Sequence, residues 1–98
     1  MVEYQLLAHR AAKRELETLP AKAEHDLREV IDEVAATEQP SQHERAKPLE
    51  GQPGLFRVRA GDARAVVTLD KPCLLVLRVG LRKDVYRDID SIYRRTPA

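Results

Sequence analysis

The sequence predicts an α+β domain: an antiparallel sheet of about four strands, with an N-terminal helical hairpin packed on one face and a short C-terminal helix. Three observations lead there. Apolar residues recur at helical spacing between Ala12 and Val34, three β-rich runs lie between Leu55 and Val79, and turn-forming residues separate the two regions. At 98 residues, 34% charged and 43% hydrophobic, the chain has the size and composition of a single domain over residues 1–98.

Val2 to Leu7 reads as a first strand, with β-branched and aromatic residues ahead of a polar segment. From His9 to Thr18, Ala12 and Leu16 keep helical spacing with Leu19, and Pro20 ends the pattern, so a short helix is expected. A longer helix follows from Ala21 to about Thr37. There Ala23, Leu27, Val30, Ile31 and Val34 form one apolar stripe and the charged residues face away, so the two helices make a hairpin. Residues 38–54 are rich in Pro, Gly and polar side chains and read as a loop leading to a turn at Pro53-Gly54.

Leu55 to Ala60, Arg64 to Asp70 and Cys73 to Val79 then form a meander, with turns at Gly61-Asp62 and Lys71-Pro72. Strict alternation puts Phe56, Val58, Ala65, Val67, Leu69, Leu75, Leu77 and Val79 on the face that receives the helices. It puts Arg57, Arg59, Arg64 and Arg78 on the opposite, exposed face. A last helix is expected from Asp84 to Arg95, capped by Asp84, because Val85, Ile89 and Ile92 keep helical spacing.

The net charge of +1 hides an asymmetry: residues 1–50 carry a net −4 and residues 51–98 a net +5. The cations of the second half are mostly arginines, whose planar fork of donors suits phosphate. A basic face of this kind fits a nucleic-acid partner, and its plain alternative is a solvated surface. Other classes fall away. The composition is not that of a disordered or collagenous chain, and a domain of this size has no deep cavity for a large cofactor. The single cysteine, Cys73, forms no internal disulfide and reads as a small buried hydrophobe; Tyr4 and Phe56 also read as core. His9, His25 and His43 share no metal-ligand spacing, so no metal or cofactor is expected. No apolar run approaches the roughly 20 residues of a membrane span, and the start MVEYQLLAHR lacks a signal-peptide layout. The expectation is a cytoplasmic protein with no membrane attachment.

Four stretches carry a closer likeness. They are Lys47-Pro48-Leu49-Glu50-Gly51, the strand Leu55-Phe56-Arg57-Val58-Arg59, the turn and strand from Gly61 to Val67, and the run from Leu77 through Gly80-Leu81-Arg82-Lys83-Asp84-Val85-Tyr86. With the order of elements, they resemble the RelE/ParE superfamily of small toxins of toxin-antitoxin systems, over nearly the whole chain. The resemblance to RelE-type members implies a ribosome-dependent mRNA endoribonuclease that cleaves by metal-independent attack of a ribose 2′-hydroxyl on its neighbouring phosphate. Carried over by position, it implies Arg57, Arg59, Arg64, Arg82 and Tyr86 as catalytic residues, and Arg57, Arg59, Arg78, Lys83 and Arg87 as contacts to RNA. Guanidinium groups fixed in place stabilise the charge that develops on the phosphoryl oxygens. An exposed tyrosine ring can also stack on a base.

The resemblance further implies a cognate antitoxin protein lying over the arginine face, the ribosome and mRNA as partners, and operator DNA contacted through the antitoxin. Four positions depart from the family pattern. Arginine stands at Arg57 and Arg59 where relatives commonly have a lysine, and an arginine, with a pKa above about 12, is a poor general base. Leu81 replaces a histidine and Ala63 a tyrosine. Proton transfer is left open among Lys83, Tyr86, Glu50 and groups of the ribosome or RNA. Plain structural readings stand beside these roles: Arg64 bracing its turn with Asp62, Arg78 pairing with a C-terminal carboxylate, Tyr86 packing at the last helix. Two other functions share the fold, a ParE-like inhibitor of DNA gyrase and a non-catalytic toxin.

Overall fold

Both predicted helices form, each with its own start signal. In the computed structural model, which describes residues 4–95, α1 spans Arg10–Glu17 and α2 spans Ala21–Ala35. His9 caps α1, its Nδ1 accepting from the Ala11 N–H at 3.1 Å. Pro20 immediately precedes α2 and Glu24 lies in its first turn, where a carboxylate favours the helix dipole. The expected stripes are the buried ones: Ala12, Leu16 and Leu19 from the first helix and its exit, Leu27, Ile31 and Val34 from the second.

Five strands form one sheet: β1 (Gln5–Ala8), β2 (Ala46–Pro48), β3 (Phe56–Ala60), β4 (Ala63–Asp70) and β5 (Cys73–Leu81), in the order β1-β5-β4-β3-β2. Two of these details correct the sequence reading. Residues 38–54 are not all loop, because a 3₁₀ turn at Pro40–Gln42 leads into the short strand β2, which pairs with β3. The sheet is not wholly antiparallel either, since β1 runs parallel to β5 at the edge. The first strand also begins later than expected; Val2 and Glu3 lie outside the described residues. Tyr4 is buried and Phe56 packs against the core as expected, whereas Cys73 is only half-buried.

A third correction comes from a β-bulge. Val66 pairs with Arg78 but Val67 with Val76, so Leu77 is an extra residue in β5. One inserted residue reverses the alternation on its N-terminal side. Leu74 and Val76 therefore face the helices, while Leu75 and Leu77 face the other way, against the strict period-two assignment. The bulge leaves strand-edge backbone groups past the end of β1, and two side chains take them up. Glu15 Oε1 accepts from the Val79 N–H at 3.1 Å, and Arg95 Nη1 donates to the Leu77 carbonyl at 2.8 Å. Glu15 and Arg95 also pair with each other at 3.2 Å, tying α1 to the C-terminal segment.

The second face of the sheet is thus not simply solvated. Leu55, Val66, Leu77, Val85 and Ile92 form a second, smaller core there, with Leu49, Leu75 and Tyr86 against it. Its lid is the C-terminal segment, whose form differs from the single helix expected over Asp84–Arg95. Arg82–Tyr86 is a 3₁₀ helix, and α3 is confined to Ile89–Arg94. Asp84 lies inside the first of these and so does not cap α3; the break falls at Asp88, whose φ is +51°. Among the described residues no helix is long and apolar enough to cross a membrane.

Candidate functional site

The arginine-bearing positions reach one face because of one hairpin. A two-residue loop, Gly61-Asp62, joins β3 to β4, and Gly61 takes a φ of +59° that an L side chain adopts only under strain. This sets Arg59 opposite Arg64 and Arg57 opposite Val66. Continuing across the sheet, Arg64 lies opposite Gly80 and Val66 opposite Arg78. Arg57, Arg59, Arg64 and Arg78 therefore share the face remote from the helices, as alternation predicts.

Beside this ladder the chain leaves β5 and turns sharply. Arg82 sits at φ +52°, a left-handed conformation that costs an L residue about 1–2 kcal/mol. Two interactions hold it: its backbone N–H donates to the Asp62 carbonyl at 2.7 Å, and its guanidinium lies 3.6 Å from the Asp62 carboxylate. The turn carries Arg82, Lys83 and Tyr86 back over the β3–β4 hairpin. The result is an open groove of about 670 Å³ lined by Arg57, Asp62, Arg64, Arg82, Lys83, Asp84 and Tyr86. Four cations against two carboxylates leave its lining at a net +2.

The cations are held in different ways. Arg64 Nη1 donates to the Gly61 carbonyl at 2.6 Å and to the Ala63 carbonyl at 3.3 Å, so it does brace its turn, through carbonyls rather than Asp62. Arg57 and Lys83 carry no ion pair among the described residues. Asp84 is drawn towards Arg87, 3.2 Å away. Tyr86 packs its ring against the second core, and its hydroxyl is buried with no hydrogen-bond partner. Burying a hydroxyl in this way costs about 1–3 kcal/mol.

Of the residues singled out in the sequence, the fold gathers Arg57, Arg64, Arg82, Lys83 and Tyr86 around one groove. Arg59 lines an adjoining groove instead, with Glu44, Arg45, Lys47, Arg57 and Gly61. Arg78 donates to the Arg87 carbonyl rather than to a carboxylate, and neither Arg78 nor Arg87 lines the larger groove. Glu50 lies in the loop after β2, outside both linings. Sequence reasoning assigned no site role to Arg45 or to Lys47, which enters only as the start of the Lys47–Gly51 stretch; both face this surface because β2 pairs with β3. An alternation of buried Ala46 with two flanking cations was the one available signal. Among the described residues, His25, Asp26 and Glu29 place ligand atoms within 4.8 Å of one another on the outer side of α2, an ordinary arrangement of exposed polar groups.

No protein-family model matches the sequence, and no curated protein does. Solved structures do. The toxin-antitoxin complex RelBE2 from Mycobacterium tuberculosis contains a chain 27% identical to this one, with a TM-score of 0.71 over 84% of this chain and 94% of that one. The RelE–RelB complex from Pyrococcus horikoshii OT3 matches at 24% identity and a TM-score of 0.66, over 84% of this chain and 97% of that one. A double mutant of the E. coli toxin RelE in the free state matches at 19% identity and a TM-score of 0.77, covering 97% of this chain and 99% of that one. The chain has the RelE fold, and these neighbours support its place in the RelE superfamily.

Proposed function

We propose that this chain is the toxin of a toxin-antitoxin pair and that it cleaves messenger RNA on the ribosome. The toxin role is supported by the neighbours of known structure, which are RelE toxins free or in complex with RelB. The observation that carries the nuclease reading is the groove in which Arg57, Arg64, Arg82 and Lys83 converge around Tyr86. In the reaction, a ribose 2′-oxygen attacks the adjoining phosphorus. The O2′–P bond forms, the P–O5′ bond breaks, the 2′-proton is lost and a proton is delivered to the 5′-oxygen. The products are a 2′,3′-cyclic phosphate and a 5′-hydroxyl.

Arg64 and Arg82 are the residues proposed to meet the charge on the non-bridging oxygens: the Arg64 guanidinium is held at the Gly61 carbonyl, and the Arg82 main chain is held at the Asp62 carbonyl with its guanidinium beside the Asp62 carboxylate. Donors fixed before the reaction need no reorganisation as charge develops. Tyr86 lines the groove and is the proposed proton carrier by the resemblance, its hydroxyl, buried in the free chain, reaching the substrate only once the side chain shifts on binding. Arg57 supplies charge and not a base. A cognate antitoxin is the expected protein partner, covering this face when the toxin is silent.

The test is primer-extension mapping of cellular mRNA after brief induction, beside plasmid supercoiling in the same cells. Cuts inside reading frames that vanish when translation is blocked are the expected result. Intact mRNA with altered supercoiling overturns the reading in favour of gyrase inhibition.

A further inference from the structure

Two cations at the sheet edge, Arg45 just before β2 and Lys47 within it, have no part in the larger groove described above. Lys47 lies opposite Arg57, and the Arg59 N–H donates to the Arg45 carbonyl at 3.0 Å, which sets Arg45 beside Arg59. Ala46 between them is buried on the helix side, so the pleat turns Arg45 and Lys47 to the same face as Arg57 and Arg59. The four line a groove of about 360 Å³ that shares Arg57 with the larger one, so the two are continuous.

Like charges directly opposite across strands destabilise a sheet. Here Lys47 faces Arg57 and Arg59 faces Arg64, and among the described residues Arg45, Lys47, Arg57 and Arg59 have no ion pair. Glu44 is the one carboxylate among the lining residues, so four cations leave this groove at a net +3, an excess that an anion supplied from outside would offset. The edge is also held in position. His43 Nδ1 accepts from the Arg45 N–H at 3.0 Å, and His43 Nε2 lies 3.6 Å from a Glu33 carboxylate oxygen on α2.

From these observations we infer that Arg45, Lys47 and Arg59 form a second anion subsite, which holds backbone phosphate of a single-stranded RNA beside the phosphate under attack. This rests on the ribonuclease reading above and extends it along the substrate. The basic track crosses β2, β3 and β4, a width on the order of 10 Å at about 4.8 Å per strand spacing. That accommodates two or three phosphates at roughly 3.4 Å rise per stacked nucleotide. RNA fits better than a protein surface because the groove offers no apolar side chain as an anchor. On its other side Asp26, Glu29 and Glu33 of α2 gather near Arg45 and Gly61, with Glu44 on the border of the two grooves, and their charge turns a polyanion away from α2 and keeps it on the sheet.

The experiment measures binding of a fluorescent 2′-O-methyl oligoribonucleotide by anisotropy over a salt series, with cleavage of ribosome-bound mRNA in parallel. The variants are the double substitution Arg45→Ala with Lys47→Ala, the charge-retaining pair Arg45→Lys with Lys47→Arg, and Lys22→Ala on the far helix as control. Each lost phosphate contact lowers the salt slope by about 0.7 for a single strand. The double alanine variant should therefore lose about 0.7 to 1.4 in slope and about tenfold in affinity, with a raised KM for cleavage. The charge-retaining pair should restore the slope. An unchanged slope and KM in the double alanine variant overturn the subsite, and so does a defect confined to antitoxin binding, which would give the surface to a protein partner. Wild-type protein that leaves ribosome-bound mRNA uncut overturns the ribonuclease reading itself, an outcome separate from either of these.

Discussion

Replacing Arg82 with glycine separates what this residue costs the fold from what it does in the groove. At φ +52° the arginine backbone is strained by about 1–2 kcal/mol, and glycine removes that strain. Glycine also loosens the unfolded chain, which takes back about 0.4–1 kcal/mol. Alanine at the same position keeps the strain. The ion pair to Asp62 spans 3.6 Å between side chains 76% and 69% exposed, so its loss is within about 1 kcal/mol and is common to both variants. Arg82→Gly should therefore be more stable than Arg82→Ala by about 1 kcal/mol, a difference of roughly 4–8 °C in melting temperature for a domain of this size. Both variants lack the guanidinium, so cleavage of ribosome-bound mRNA should fall on the order of 100- to 1000-fold in each. Thermal unfolding by circular dichroism and a single-turnover cleavage assay give the two readouts. If the alanine variant melts higher, the account of the strained turn is wrong; if the glycine variant cleaves like wild type, Arg82 has no part in the chemistry.

Tyr86→Phe keeps the ring against the second core and removes a buried hydroxyl without a partner, so urea unfolding should show unchanged or higher stability, by up to about 1 kcal/mol, while cleavage drops at least about tenfold. Full cleavage by this variant would leave Tyr86 a packing residue only. Glu15→Ala strands the half-buried Arg95 guanidinium and the Val79 N–H at the bulge; a loss of about 1–2 kcal/mol is expected by chemical denaturation. Gly61→Val puts a β-branched side chain at φ +59°, where nothing stands in its way sterically, so backbone strain alone should cost about 1–2 kcal/mol or more. A neutral Gly61→Val would show that the hairpin loop does not hold this conformation.

Much of the groove was legible in the sequence because it depends on short-range rules. The turn signal Gly61-Asp62 and the period of two along Arg57 and Arg59 put three arginines on one face without any knowledge of what packs elsewhere. Arg82, Lys83 and Tyr86 were identified through resemblance, and their approach to the hairpin rests on a left-handed turn that has no glycine to announce it. Arg45 and Lys47 had no site role in the sequence for a related reason. A three-residue edge strand, Ala46–Pro48, ends in proline and shows no run of β-branched residues, so only its pairing with β3 makes it a strand.

By itself the sequence determined the helical hairpin, the three-strand meander and the clustering of positive charge, since each follows from periodicity, turn chemistry or composition within about 20 residues of chain. The tertiary structure decided the rest. The extra residue at Leu77 is spotted only when β5 is laid against β4, and it moves Leu75 and Leu77 from the helix-facing core to a second one. That second core is what the C-terminal segment covers through Val85 and Ile92, and its packing brings Tyr86 to the groove. Register shifts and long-range packing are settled by partners distant in sequence, and no local pattern records them.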